Sequence, residues 1–411
     1  MDVSSFRPGL EGVVAGETSI STLASGLHYR GYDIRELARY ASFEETAYLL
    51  LRGELPTAEE LQAFRRQVSE IALQAAAIDR PDHPFGSMLN ADRPAEADSR
   101  ASFPAAPLLT AVLKQLAPDL PMIDWLRTAA SLLADGDPEP SSGDRDAHVR
   151  KATRLLVQMP LVLAATHRRF SGVSQRSYDP ARGLAANLLC QLLGKEVDPA
   201  VARAFEVSMI VYADHEFNAS TFTARVVAST GSDLHSAIVA AIGALKGPLH
   251  GGANERVVEV LLEVGTPARA DTWVREAIAS KRRITGFGHR TCKDGDVRAV
   301  LLKPLCVQLA ERSGLQALEQ TADAVEQAML AQRGLHPNVD WPVARLYHYL
   351  GLPSRLNPAL FLVSRIAGWC AHVIEQQTNN RLISPRAHYV GPAMRAFVPV
   401  ENRIKNESFA G

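Results

Sequence analysis

"SFEETAYLLLRGELPTAEELQAFRRQVSEIALQAAA", residues Ser42–Ala77, decides the fold class. Ser42 is followed three positions later by Glu45, and Thr57 by Glu60. This is the reciprocal pattern that satisfies the free amides at a helix start. Between the two runs stand Gly53 and Pro56, which are helix stop signals. The same grammar returns in "ARGLAANLLCQLLG", "ARAFEVSMIVYADHE", "NASTFTARVVASTG", "DLHSAIVAAIGAL", "RAVLLKPLCVQLAER" and "QTADAVEQAMLAQRG". Apolar residues recur at three- and four-residue steps, as at Val257, Leu261 and Val264. Alternating strand patterns are scarce, apart from a possible short hairpin around "LEGVVAGETSISTLASGLHYRG". The sequence predicts a mainly α fold.

The chain has 411 residues, 46% hydrophobic and 22% charged, which is enough for a substantial core in one large domain or two. Its formal net charge of −1 gives no basic stripe for nucleic acid and no acidic tail. Cys190, Cys292, Cys306 and Cys370 are far apart and lack CxxC spacing. They read as reduced thiols, neither a disulfide frame nor a metal site. "MDVSSFRPGLEG" lacks a signal-peptide pattern, and "LLVQMPLVLAA" is shorter than a membrane span needs. These features predict a cytoplasmic protein with no membrane or nucleic-acid partner. Residues 79–107 and 134–146, rich in Pro, Asp and Ser, read as surface excursions. Glycine or proline breaks the helical rhythm near "GALKGPLHGG" and "HPNVDWPVARL", where hinges are expected.

Five stretches carry chemistry. His250 lies in "KGPLHGGANE", where glycines permit close backbone approach and a helix start disfavours imidazolium. It is either a neutral donor to a developing oxyanion or a turn histidine with a structural bond. His289 follows Gly286-Phe287-Gly288 and precedes Arg290, Lys293 and Arg298. That pattern suits an anionic ligand, or equally a solvated loop. "YADHEFNAS" places His215 at a polar junction between helices and is no HExxH zinc motif. Asp340, between Val339 and Trp341, is either a base of raised pKa or the cap of the helix that follows. Arg365, in the apolar run "FLVSRIAGWCAHVIEQ", requires a buried ion pair or a bound carboxylate.

Taken together and in order, these elements resemble the citrate synthases, including the 2-methylcitrate synthases. The resemblance starts with "FRPGLEGVVAGETSIS", "LHYRGYDIRELA" and "FEETAYLLLRGELPT". It runs through "DHEFNASTFTARVVAST", "GPLHGGANE", "GFGHR", "PNVD" and "SRIAGW" to "NRLISPRAHYVGP" and "FVPVENR". Residues 81–150 match least. The resemblance implies a two-domain helical fold. A large dimer-forming domain would comprise residues 1–244 and 346–411, and a small domain, 245–345, would bind CoA and close over the site. It implies condensation of acetyl-CoA with oxaloacetate and hydrolysis to citrate and CoA, with no cofactor and no metal. It casts Asp340 as the base, His250 as the donor at the thioester oxygen and His289 as the donor at the ketone. His215, Arg298, Arg365 and Arg386 would bind oxaloacetate. Gly286, Phe287, Gly288 and Lys293 would meet CoA. It also implies a homodimer or a larger assembly of dimers.

Some positions depart from that pattern. Where the family has Arg-Pro-Arg, its first arginine reaching the partner's site, this chain has Ser384-Pro385-Arg386. The loss of one charge-assisted hydrogen bond costs roughly 1.5–3 kcal/mol, or about one to two decades of affinity. "HRTCKDGDVR" replaces a His-Arg-Val-Tyr-Lys run, and Tyr212 stands where histidine is common. The leading expectation is a citrate synthase. The alternatives are a 2-methylcitrate synthase or related acyl-CoA condensing enzyme, and a catalytically silent helical binding or assembly protein, which Ser384 favours.

Overall fold

The computed structural model describes residues 7–10, 12–76, 106–117, 119–139, 144–289, 292 and 295–403. It is mainly α, as the sequence predicts. Both capping boxes form. Ser42 Oγ accepts from the Glu45 amide at 3.2 Å, and the Glu45 carboxylate accepts from the Ser42 amide at 2.8 Å. Thr57 and Glu60 make the same exchange at 3.3 and 2.8 Å. The helix Phe43–Arg52 ends at Gly53, whose φ of 108° suits a residue without Cβ. The expected hairpin is a small antiparallel meander of Ser21–Thr22, His28–Tyr29 and Tyr32–Asp33. Buried Tyr29 carries it onto the loop after the helix Pro199–Tyr212. The phenol donates to the Asp214 carbonyl at 2.9 Å and accepts from the Asp214 amide at 3.1 Å.

The helix Asn357–Thr378 is the axis of the main core. It is buried on nearly every face and packs against Phe43–Arg52, Arg145–Ser171, Pro199–Tyr212, Ala219–Ser229 and Leu234–Leu245. A helix apolar all round has no solvent face to spare. At Gly368 a Cβ would lie 2.2 Å from the Ala213 carbonyl, so glycine lets this helix touch the 213–216 turn. A second core joins Val257, Leu261, Trp273, Val274, Val325, Met329 and Trp341. There the helix Asp340–Tyr349 is tied down by ions. Arg345, wholly buried, pairs with Glu319 at 3.1 Å and Glu326 at 3.2 Å, and the Trp341 indole donates to Glu326 at 2.9 Å.

The described residues of Thr18–Leu382 group into one compact unit, which contains both cores. Those of Met1–Glu17 and Ile383–Gly411 form a second. Between Thr378 and the turn Val400–Asn402 the chain has neither helix nor strand, and it exposes Tyr389, Val390, Met394, Phe397 and Val400. Among the described residues no helix is long and apolar enough to cross a membrane. The cysteines there form no disulfide, and Cys190, Cys306 and Cys370 are buried. One surface excursion needs correction. Asp137 is buried, because Arg154 holds it at 2.7 Å in an ion pair that local polarity does not announce. The other excursion lies almost wholly outside the described residues.

Candidate active site

Asp340 is the first residue of the helix Asp340–Tyr349, but it does not cap it. Asn338 Oδ1 accepts from the Asp340 amide at 3.0 Å, which frees the Asp340 carboxylate to turn inward. There Oδ1 accepts from the Tyr212 hydroxyl at 2.8 Å. Burial pushes the Asp340 carboxyl up to about 6, against the pull of Tyr212, Arg298 and Arg365. The capping alternative for Asp340 is therefore excluded by geometry.

The 286–288 loop is laced to the segment before Asp340. Gly288 donates to the His336 carbonyl and Asn338 to the Gly286 carbonyl, each at 2.9 Å, and the Asn338 amide donates to the Gly288 carbonyl at 2.9 Å. Gly286, at φ 87°, leaves room for Trp341, whose ring a Cβ would meet at 2.9 Å. Phe287 lies on Trp341 with ring centroids 4.6 Å apart. Lys293 and Arg290 lie outside the described residues.

His250 opens the 3-10 turn Gly251–Arg256, which leads into Val257–Val264. A Cβ at Gly251 would lie 2.6 Å from the Leu245 carbonyl, so the turn needs glycine there. Burial, with the nearby charge of Arg365, lowers the His250 pKa to about 4, so the ring is neutral near pH 7. Its Nε2 lies 2.8 Å from Ser220 Oγ, which receives the Trp369 indole N–H at 3.2 Å and donates to Asn218 Oδ1 at 2.7 Å. With the serine proton directed at Asn218 the imidazole donates Nε2–H to Ser220, and with it turned to Nε2 the ring proton sits on Nδ1.

His289 Nδ1 accepts from the Cys292 amide at 3.2 Å, which puts the ring proton on Nε2. The ring meets His215 edge-on at 4.9 Å. His215 is buried and its Nε2 has no hydrogen-bond partner among the described residues. Burial, then the charge of Arg298, keeps both imidazoles neutral. His215 lies next to Asp214, which is turned the other way by His372 at 3.2 Å and by Ser21.

The two arginines differ. Arg298 is held by Asp296 through Nε and a terminal nitrogen at 2.9 and 2.8 Å. Arg365 is 1% exposed, donates Nε to the Tyr212 carbonyl, and lies 4.6 Å over the Phe361 ring. Among the described residues no carboxylate lies within ion-pairing distance of it. Burial lowers its pKa to about 10, which leaves it charged at neutral pH. Arg365 acts electrostatically on His250, His215 and Asp340, and Arg298 on His289, His215 and Asp340. The five side chains named as base, donors and clamps within Thr18–Leu382 thus share one electrostatic neighbourhood with His215. Arg386 lies in the terminal unit and is exposed.

Ligand atoms of His215, His289 and Cys292 fall within 4.8 Å of one another. Two guanidinium groups beside them oppose a cation, so the cluster suits an anion with a polarisable oxygen better than a metal ion. Nothing in the local sequence marks Ser220 or Asp296 as part of the site, and Tyr212 shows there only as a departure from the family pattern. Ser220 and Asp296 read as ordinary helix-start residues, and Tyr212 finds its partner across the fold.

A model of the citrate synthase C-terminal domain matches residues 9–386. Citrate synthase 2 of Bacillus subtilis is 40% identical over 96% of this chain and 98% of its own. 2-methylcitrate synthase 1 of Corynebacterium glutamicum is 39% identical over 98% of this chain and 100% of its own. A ternary complex of citrate synthase from Thermoplasma acidophilum with carboxymethyl coenzyme A and oxaloacetate superposes with a TM-score of 0.82. It is 29% identical and covers 97% of this chain and 99% of its own.

Proposed function

The chain belongs to the citrate synthase family, enzymes of acyl-transfer condensation, and from that premise we propose that it joins acetyl-CoA to oxaloacetate. The products are citrate and free CoA. One observation carries the reading most. Arg365 is a wholly buried, charged guanidinium without a carboxylate partner among the described residues, and a buried cation of that kind calls for an anionic ligand. Beside it stand neutral imidazoles and a carboxyl poised near pH 6. The Thermoplasma relative was captured with a ketodicarboxylate and a CoA analogue, which supports the same pair here.

In this reading Asp340 takes a proton from the thioester methyl while His250, in the tautomer protonated on Nδ1, donates to the thioester oxygen. The enolate is thereby stabilised as it forms, and a weak carboxylate base suffices. His289 Nε2–H donates to the ketone oxygen, and the methylene carbon attacks the ketone carbon. The resulting alkoxide is protonated. Water then cleaves the thioester, leaving a carboxylate and the CoA thiol. Arg365, Arg298, His215 and Arg386 bind the ketoacid, while the Gly286–Gly288 backbone and Lys293 meet CoA. Residues 245–345 act as the small domain that closes over the site and excludes water. The uncovered Tyr389, Met394 and Phe397 support a homodimer in which the C-terminal segment lies against a second copy. The cytoplasm, where CoA thioesters are used, is the expected compartment.

A second reading is a 2-methylcitrate synthase acting on propionyl-CoA, and the Corynebacterium relative at 39% identity favours it. The two donors differ by one methylene, worth about 1–3 kcal/mol of discrimination. Thiol release from acetyl-CoA and propionyl-CoA in the presence of oxaloacetate decides between them. Release from neither would leave a silent binding protein.

A further inference from the structure

We propose that Tyr212 is a positioning residue for the base, fixing one oxygen of Asp340 so that the other faces the substrate. The proposal rests on Asp340 being the base. Tyr212 ends the helix Pro199–Tyr212 and is wholly buried. Its hydroxyl donates to Asp340 Oδ1 at 2.8 Å, its ring lies 4.3 Å from that of Phe361, and its carbonyl accepts from Arg365. One residue thus touches the base, the ring under the free guanidinium, and that guanidinium.

Asn254, 0% exposed in the turn Gly251–Arg256 that carries His250, lies near the Tyr212 hydroxyl without hydrogen-bonding to it. Its side-chain atoms have no hydrogen-bond partner among the described residues, while its backbone carbonyl is fixed by the Asn357 side-chain amide at 3.2 Å. An ionised Asp340 can only accept, so the phenol proton lies toward Oδ1. Burial, with Asp340 next, raises the Tyr212 pKa far above neutrality, so the hydroxyl stays a donor at every working pH.

Two consequences follow from the geometry. A carboxylate with Oδ1 engaged cannot rotate freely, so Oδ2 is presented to the methyl proton in one orientation. The phenol also favours the ionised carboxylate and opposes burial, which pushes the other way. The remaining charged or titratable groups facing Asp340 are Arg298, Asp296, Arg365 and, on its own helix, Tyr347.

Tyr212→Phe keeps the ring on Phe361 and removes only the donor. In the thiol-release assay kcat should fall about 10- to 100-fold, as removal of a single aid to proton transfer does. The KM for oxaloacetate should stay within about twofold, since a phenol that touches only the base adds no uniform binding. The acid limb of the pH–kcat profile should move up by about one unit, as loss of a hydrogen bond to a charge requires. Tyr212→Met, which fills the apolar space beside Phe361 and also lacks a donor, should move the limb in the same direction. It carries the test if Tyr212→Phe does not fold. An unmoved limb and unchanged kcat in the folded variants would overturn the proposal, and so would a proportional rise in KM. Asp340→Asn in the same assay separates the two levels. Full turnover there removes the base assignment, whereas a dead Asp340→Asn beside a wild-type-like Tyr212→Phe removes only the positioning role.

Discussion

Asp296 grips Arg298 through both carboxylate oxygens, and one of them also accepts from the Val339 amide at 3.0 Å, directly before Asp340. The pair does two jobs. It ties the start of the helix Val297–Ser313 to the start of the helix that carries the base, and it neutralises Arg298. Arg365 is then the guanidinium of the pocket left without a carboxylate, a contrast that underlies the predictions on binding.

Arg365→Leu should raise the KM for oxaloacetate about 10- to 100-fold and change that for acetyl-CoA little, because a charge-assisted hydrogen bond to substrate is lost. Arg298→Leu should behave differently. It leaves Asp296 buried and unpaired, so thermal stability falls by about 3–5 kcal/mol together with ketoacid affinity. Steady-state kinetics and thermal melts on both variants check the contrast. Equal effects on the two substrates would contradict the clamp.

The acid limb of activity should belong to Asp340. Its pKa stands at about 6 and that of His250 at about 4, so lowering pH protonates the base before it charges the imidazole. The kcat profile should therefore fall through one ionisation near pH 6. The same shift has a sign in stability. Because the folded pKa lies above the unfolded one, the carboxylate stabilises the fold least at high pH, and that cost grows as pH rises from about 4 to about 6. Asp340→Asn should accordingly melt higher than wild type at pH 8, by up to about 3 kcal/mol, with the difference vanishing near pH 4. Thermal melts across that range measure it.

Gly286→Ala should damage catalysis more than folding. The new Cβ meets Trp341 at 2.9 Å on a backbone at φ 87°, and Trp341 directly follows the base. A displacement of about 1 Å at Asp340 is enough for a loss of about 100-fold in kcat. A variant with wild-type kcat would show that the loop does not position the base.

Ser384→Arg tests the departure in the C-terminal segment. Restoring a guanidinium there should lower the KM for oxaloacetate about tenfold if the serine costs affinity. An unchanged KM would assign the role to Arg386 or another cation.

Legibility followed distance along the chain. The helices were readable because their signals are local: Ser42 with Glu45 and Thr57 with Glu60 cap within three residues. His250, Asp340 and Arg365 stood out because glycine, proline or apolar neighbours make a polar side chain conspicuous. Local sequence could not say whether Asp340 caps its helix, since Asn338 is an equally good cap two residues earlier and takes the task. The partner of Tyr212 was not legible, because 128 residues separate it from Asp340 and only packing brings them together. Burial of Asp137 escaped for the same reason: a Pro- and Asp-rich stretch reads as solvated until Arg154 is placed beside it.

Asp340→Asn, assayed for thiol release from acetyl-CoA and, in the same preparation, for oxaloacetate binding by calorimetry, tests the central claim most directly. The account predicts ketoacid binding within about twofold of wild type and turnover lower by about 100- to 10,000-fold, the share of a general base. Wild-type turnover in that variant would contradict it.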